Sequence, residues 1–265
     1  MDKDNKKKKR TKKASKDAAA VIEEVENTEA VEEDADVADA KAAKDASKKK
    51  KKKKLPLTLG VIGVVIVALV AGVLIWHEQP SFCNAICHTP MDPYYRTYGY
   101  EPGQAAQDKW ENNVSNANAM MVVSHKVNGV DCLGCHVPTL GEQITEGISW
   151  VLGDYDFPLF ERTADDLVEA RNLTSDDFCL NDACHHVTSS GKAITTRADL
   201  IAATSNLARN VHDSSQHGEL ACTTCHKAHR ASIIYCSQCH TDVTYPAGWL
   251  SYADSLKLKS PSPDA

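Results

Sequence analysis

The first 54 residues almost entirely lack aromatic and bulky apolar side chains, which excludes a packed domain from that part of the chain. Charge is absent over the next 22 residues, Leu55 to Trp76 (LPLTLGVIGVVIVALVAGVLIW), and this excludes an ordinary surface segment there. From residue 77 onward strand-like alternation is rare and polar loops are many, so regular structure is too sparse for a conventional core. Basic charge is also scarce in that region. Residues 1–54 hold 18 of the 30 Lys/Arg and 13 of the 36 Asp/Glu, leaving 12 against 23 and a net of −11 for the remainder. A nucleic-acid partner requires clustered basic side chains to neutralise phosphates, and this acidic balance argues against one. Docking onto a protein with a basic patch fits better.

The charged N-terminal segment passes from a basic block (Lys6 to Lys9, Arg10, Lys12, Lys13) through an acidic, Ala-rich block (Glu23 to Asp39) to seven lysines, Lys48 to Lys54. It is expected to be disordered. A nuclear-targeting or nucleic-acid reading of the lysines is outweighed by the apolar run directly after them. As a helix that run spans roughly 33 Å at 1.5 Å per residue, against a hydrocarbon core of about 30 Å. The positive-inside rule places the lysines in the cytoplasm and residue 77 onward outside, with Trp76 at the outer headgroup level. A cleaved signal peptide is the rival reading. The run exceeds the usual apolar length of about 7–15 residues, however, and no small-x-small cleavage site follows it. The expected organisation is a cytoplasmic tail (1–54), a transmembrane helix (55–76) in the cell membrane, and one extracytoplasmic domain (77–265). The fold class is mainly α with extensive loops, with helices expected over Gln104 to Ser124, Thr163 to Arg171 and Ala198 to Leu207.

What the outer domain does have is cysteine. All ten fall in five close pairs, and a histidine follows the second cysteine each time. Three pairs read C-x-x-C-H: Cys132-Leu-Gly-Cys135-His136, Cys222-Thr-Thr-Cys225-His226 and Cys236-Ser-Gln-Cys239-His240. At that spacing two thiols reach the two vinyl groups of one porphyrin while the histidine meets the iron. Zinc ribbons would not require the histidine at a constant offset. The other two motifs are stretched, Cys83-Asn-Ala-Ile-Cys87-His88 by one residue and Cys179-Leu-Asn-Asp-Ala-Cys184-His185 by two. An extra residue can bulge out while the sulfurs stay in place, and a structural disulfide is the alternative for both. Five haem c groups in a domain of this size would themselves supply the packing material, stacked as its core.

Six further histidines, His77, His125, His186, His212, His217 and His229, are candidate sixth ligands. Met91, three residues past His88, is a candidate axial ligand that would raise the potential relative to two histidines; a packing role is the alternative. The first motif begins shortly after Trp76, which puts its haem near the bilayer, where Tyr94, Tyr95, Tyr98 and Tyr100 could form an interfacial aromatic belt. Gly141 to Asp156 (GEQITEGISWVLGDYD) places Ile144, Ile148, Val151 and Leu152 on one helical face, which suits a helix lying on the bilayer or, equally, core packing. Asp154, Asp156 and Glu146 are the nearby carboxylates able to accept a proton from a quinol.

The apolar anchor, Cys87-His88-x-x-Met91, the stretch His125 to Pro138 (HKVNGVDCLGCHVP) and the stretch Gly218 to His229 (GELACTTCHKAH) together resemble the NapC/NirT family of membrane-anchored multihaem cytochromes. The resemblance covers roughly residues 55–229. It implies a protein that oxidises membrane quinol, menaquinol above all, and passes electrons to an extracytoplasmic reductase of molybdenum, multihaem or flavin type in anaerobic respiration. The chain departs from the family in its fifth motif, in its two stretched motifs and in lacking a lysine between Glu142 and Asp154, where the family's quinol site pairs a lysine with an aspartate that Asp154 matches. The rival function is a multihaem reductase acting directly on a small molecule such as nitrite at an open iron.

The intact mass of the mature protein is expected to exceed that of its polypeptide by five haem masses, one for each motif. An excess of three would show that the stretched motifs are not used.

Overall fold

The computed structural model describes residues 55–187, 189–214 and 216–261; the charged tail expected over 1–54 lies outside them. Helix α1 (Leu55–His77) is apolar on every side, with no buried face, as a helix surrounded by hydrocarbon should be. Its Gly60–His77 stretch is long and apolar enough to cross a membrane, which is consistent with a single-pass anchor. The helix runs one residue past Trp76, and the indole donates to Ser81 Oγ at 3.3 Å while packing edge-on against Phe82. Helix α2 (Pro80–Ile86) therefore starts immediately, with Pro80 at a first-turn position where its missing N–H costs nothing. Helix α3 (His88–Gly99) follows after Cys87.

The rest of the chain is short helices separated by loops, as expected for this class. In order these are α4 (Met121–Lys126), α5 (Cys132–Cys135), α6 (Leu140–Leu152), α7 (Ala164–Val168), α8 (Ser175–Cys179), α9 (Arg197–Ala203), α10 (Cys222–Cys225) and α11 (Tyr252–Ser255). Two-residue strands form an antiparallel pair, β1 (Ala106–Gln107) with β2 (Asn113–Val114), and a parallel pair, β3 (Ile233–Ile234) with β4 (Leu250–Ser251).

The helix expected over Gln104 to Ser124 is not formed. Asp108, fully buried, accepts hydrogen bonds from the backbone N–H groups of Trp110 and Asn112 (2.8 and 2.9 Å), which turns the chain back on itself as β1–β2. Asn116 Oδ1 likewise accepts from Asn118 N–H. Short Asp and Asn side chains compete for the backbone groups that a helix would use, and here they win. Only the last part, α4, is helical. The other two expected helices appear as α7 with a 3₁₀ turn over Glu169–Arg171, and as α9, which stops where Thr204 Oγ1 bonds back to Leu200 O (2.7 Å).

The folded-back segment builds a small apolar core that the sparse periodicity did not announce. Ala106, Val114, Ala117, Ala119, Met120, Val123 and Ala231 are buried together, flanked by Tyr100, Val122, Trp249 and Leu250. Backbone bonds from Ser232 N–H to Ala119 O (2.8 Å) and from Leu250 N–H to Ser232 O (2.9 Å) draw the C-terminal region onto it. A second tie is electrostatic. Glu161 accepts from Arg230 at 3.0 Å and lies 3.3 Å from Lys227 Nζ, while the Arg230 guanidinium sits over the Trp110 ring.

One contact of this core is testable. Gly248 has φ +85°, and a Cβ there would lie 2.6 Å from the Asn116 carbonyl, whereas Gly103 (φ +83°) faces open space. Gly103→Ala should cost only the left-handed backbone penalty of about 1–2 kcal/mol. Gly248→Ala should cost clearly more, read as a larger drop in Tm of the full chain in detergent.

Candidate functional site

Helices α5 and α10 each begin and end on the two cysteines of a C-x-x-C motif, and the fifth motif forms a 3₁₀ turn over Tyr235–Gln238. In all three the backbone N–H of the histidine donates to the carbonyl of the first cysteine, at 2.8 Å for His136 and 3.0 Å for His226 and His240. One turn of helix thus puts both thiols on one face, and the chain leaves it extended at His136 and His226. Asp131 caps the second motif by accepting from Gly134 N–H at 3.0 Å. Gly134 is required there, because a Cβ would meet Val130 Cγ1 at 2.7 Å.

The stretched motifs reach the same result in different ways. No bulge occurs in the first: Cys83 and Cys87 are one helical turn apart, and Cys87 N–H donates to Cys83 O at 3.0 Å, so helical periodicity absorbs the extra residue. In the third, α8 ends at Cys179 and a loop bulges out. Asn181 holds that loop, donating to Phe178 O (2.6 Å) and accepting from Ala183 N–H (2.9 Å). All ten cysteines are unpaired thiols, so the disulfide alternative is not realised. Among the described residues no group of three or more His, Cys, Asp or Glu converges as zinc would require.

The histidines meet in pairs. His136 faces His229, His185 faces His125, His226 faces His212 and His240 faces His217, with ring centroids 6.4, 6.1, 6.4 and 6.1 Å apart. Each pair joins a motif histidine to a histidine from outside the motifs. A metal holding two imidazole nitrogens at about 2 Å each would separate the ring centres by about 6 Å, so the residues present fit an iron with two axial histidines. Three of the partner rings have Nδ1 engaged: His229 with Thr97 Oγ1 (2.7 Å), His125 with Met121 O (2.8 Å) and His212 with Thr204 Oγ1 (3.2 Å). That orients each ring and leaves Nε2 for the metal. Burial pushes His229 down to about 3 and His226 to about 4, keeping both in the neutral form that ligates. Thr97 and Thr204 carry no pattern in the sequence by which this role could be read. His77 packs against Phe82, and His186 bridges to Ala193; neither is brought against a motif histidine.

Consecutive motifs are also neighbours. Burial and then the Cys83 thiol push Cys132 up to about 11; burial and then Cys184 raise Cys135. Cys179 is raised by its hydrogen bond with Cys222, and Cys236 is among the groups that raise Cys225. Asp176 and Arg197 clamp the third motif to the fourth. Arg197 Nη2 donates to Asp176 Oδ1 (2.6 Å) and Nη1 to Leu220 O (2.8 Å), while Cys222 Sγ lies 3.6 Å from the same Asp176 oxygen.

At the first motif, His88 and Met91 lie on one side of α3, and Met91 N–H donates to Cys87 O (3.1 Å). Glu146, on α6, is close enough to raise both Cys83 and Cys87, and its own carboxyl is raised by burial and then by Glu142. Asp154 and Asp156 instead lie exposed in the loop after α6. The tyrosines do not form a common belt. Tyr94 packs edge-on against His229, Tyr98 lies under Lys126 and Tyr100 joins the apolar core, which leaves Tyr95 exposed.

Residues 164–241, which span the third to fifth motifs, match the Cytochrome c3 family. The chain is 55% identical over 190 residues to the cytochrome c-type protein Cgr1 of Eggerthella lenta, an alignment covering 72% of this chain and 84% of that protein. No solved structure matches. A cysteine pair and histidine on each attachment turn, a facing imidazole for four of them and these two likenesses lead to one conclusion: the chain belongs to the multihaem c-type cytochromes, electron-transfer proteins that bind haem c covalently.

Proposed function

We propose that this cytochrome, held in the cell membrane by α1 with its lysine-rich tail cytoplasmic, takes electrons from membrane quinol and delivers them to an extracytoplasmic reductase. Five haem c groups, one per motif, supply the one-electron chemistry. The observation that carries the reading is the order of the motifs: each lies beside the next, and the first follows directly on the membrane helix. That arrangement suits a conductor with one end at the bilayer.

Each residue then has a role. The cysteine pairs tether the groups, and His136 with His229, His185 with His125, His226 with His212 and His240 with His217 hold four of the irons. The first motif is different. His88 and Met91 are less than one helical turn apart on α3, so they cannot take opposite faces of one porphyrin and are alternatives for a single axial position. Without a facing histidine, this site leaves room for a quinol to approach. Oxidation of the quinol releases two electrons and two protons. Glu146 is the carboxylate placed to take a proton there, because its raised pKa makes it a better acceptor than an ordinary surface carboxylate.

Two measurements test this. The imidazole planes of the pairs make angles of 8° (His212, His226) and 32° (His136, His229) in one class, and 65° (His217, His240) and 83° (His125, His185) in the other. Near-parallel planes give rhombic low-spin ferric signals in electron paramagnetic resonance, and near-perpendicular planes give highly anisotropic ones. Both kinds are expected, and His212→Met should remove a rhombic one. Met91→Ala should slow reduction by a menaquinol analogue at least tenfold while reduction by dithionite stays complete. An unchanged quinol rate would move the entry point to another motif.

A further inference from the structure

Helix α6 is amphipathic in the reverse of the usual sense. Its polar side turns toward the protein: Glu142, Gln143, Ser149 and Trp150 are half-buried, and Glu146 lies by the first cysteine pair. Its apolar side turns away. Leu140 and Leu152 are each 72% exposed and Val151 73%, with Ile144 and Ile148 exposed between them, and no residue of the helix is buried. At 100° per residue Glu146 stands opposite Ile144 and Ile148, so the two faces are distinct.

The helix is complete without a packing partner. Thr139 and Glu142 form a capping box at its start, with Thr139 N–H donating to Glu142 Oε2 at 2.7 Å, and Gly153 (φ +67°) closes its end. Arg171 fixes the approach to the helix by donating to the carbonyls of Val137 and Pro138 at 2.9 Å each. Tyr155 and Phe157, both exposed, continue the apolar character into the next loop.

We infer that the outward face of α6 is seated in the lipid bilayer as a second membrane contact, lying in the interface beside the first haem motif. Three observations select lipid as the occupant. Glu146 ties the helix to Cys83 and Cys87, and that motif starts within a few residues of the end of α1, so α6 is held at the level where α1 leaves the hydrocarbon. The face is aliphatic and continuous, as an interfacial helix requires. The helix carries Glu142 and Glu146 but no Lys or Arg, so its seating depends on apolar burial and not on anionic headgroups. The polar face then delimits a slot between bilayer and motif, where a quinol leaving the hydrocarbon would meet Glu146. This inference rests on the reading of α1 as an anchor, and the experiment separates the two.

The full-length haem-loaded protein is reconstituted into phosphatidylcholine vesicles doped with a phospholipid carrying a diazirine on its acyl chain, illuminated, and mapped by peptide mass spectrometry. Adducts are expected on 55–77 and, independently, on 140–152 at the outward residues Leu140, Ile144, Ile148 and Val151, with no change at high salt. The double variant Ile148→Glu/Val151→Glu should lose at least nine-tenths of the 140–152 adducts while keeping those on 55–77 and the full haem-to-protein ratio. Adducts on 55–77 alone would overturn the seating of α6 and leave the anchor standing, as would 140–152 peptides joined to a second copy of the chain. Adducts on neither segment would overturn both.

Discussion

The hydrogen bond from a motif histidine N–H to the carbonyl of the first cysteine is the constraint on which the outer domain depends. It closes one turn, fixes two thiols on one face and sends the imidazole off in a set direction. A five-residue sequence can make that turn without help from elsewhere, which explains how a domain with so little regular structure presents ordered sites. The first motif satisfies the same constraint with one more residue, because positions three and four apart on a helix share a face. The third cannot, and its side chain Asn181 compensates by holding the loop.

The second half of each site is long-range and depends on packing. His229 stands against His136 because Thr97 on α3 receives its ring and because Lys109 N–H donates to the His229 carbonyl at 2.9 Å. His125 is set by its place on α4, which is in turn bonded to the strand leading from the fourth motif through Met121 N–H to Lys227 O and Val122 N–H to Ala228 O. The small apolar cluster around Met120 and Val123 therefore has a functional reason to exist. It holds α4 in register so that His125 points at His185.

Local chemistry was legible in the chain, and topology was not. The cysteine spacings named the attachment sites, and the uncharged run named α1, because each is a property of consecutive residues. Four of the six spare histidines proved to face motif rings, yet which faced which could not be read: His125 precedes the second motif and serves the third, while His229 follows the fourth and serves the second. The misread segment was Gln104 to Ser124, where buried Asp108 and the Asn side chains diverted the backbone from the helix that its composition suggested. The tyrosines were misjudged for a related reason, since proximity to the membrane in sequence did not keep Tyr94 from turning inward to His229.

The crossed histidine pairs bear on how such a chain is made. Thiols can be modified motif by motif as the domain emerges, for each turn is local. The second imidazole follows another rule: His136 near the start of the domain waits for His229 near its end. Maturation thus has a vectorial step followed by a closing step, and the domain cannot be cut between the third and fourth motifs into halves that each finish on their own. The crossing makes one indivisible unit of what the motif count alone would read as a string of separable modules.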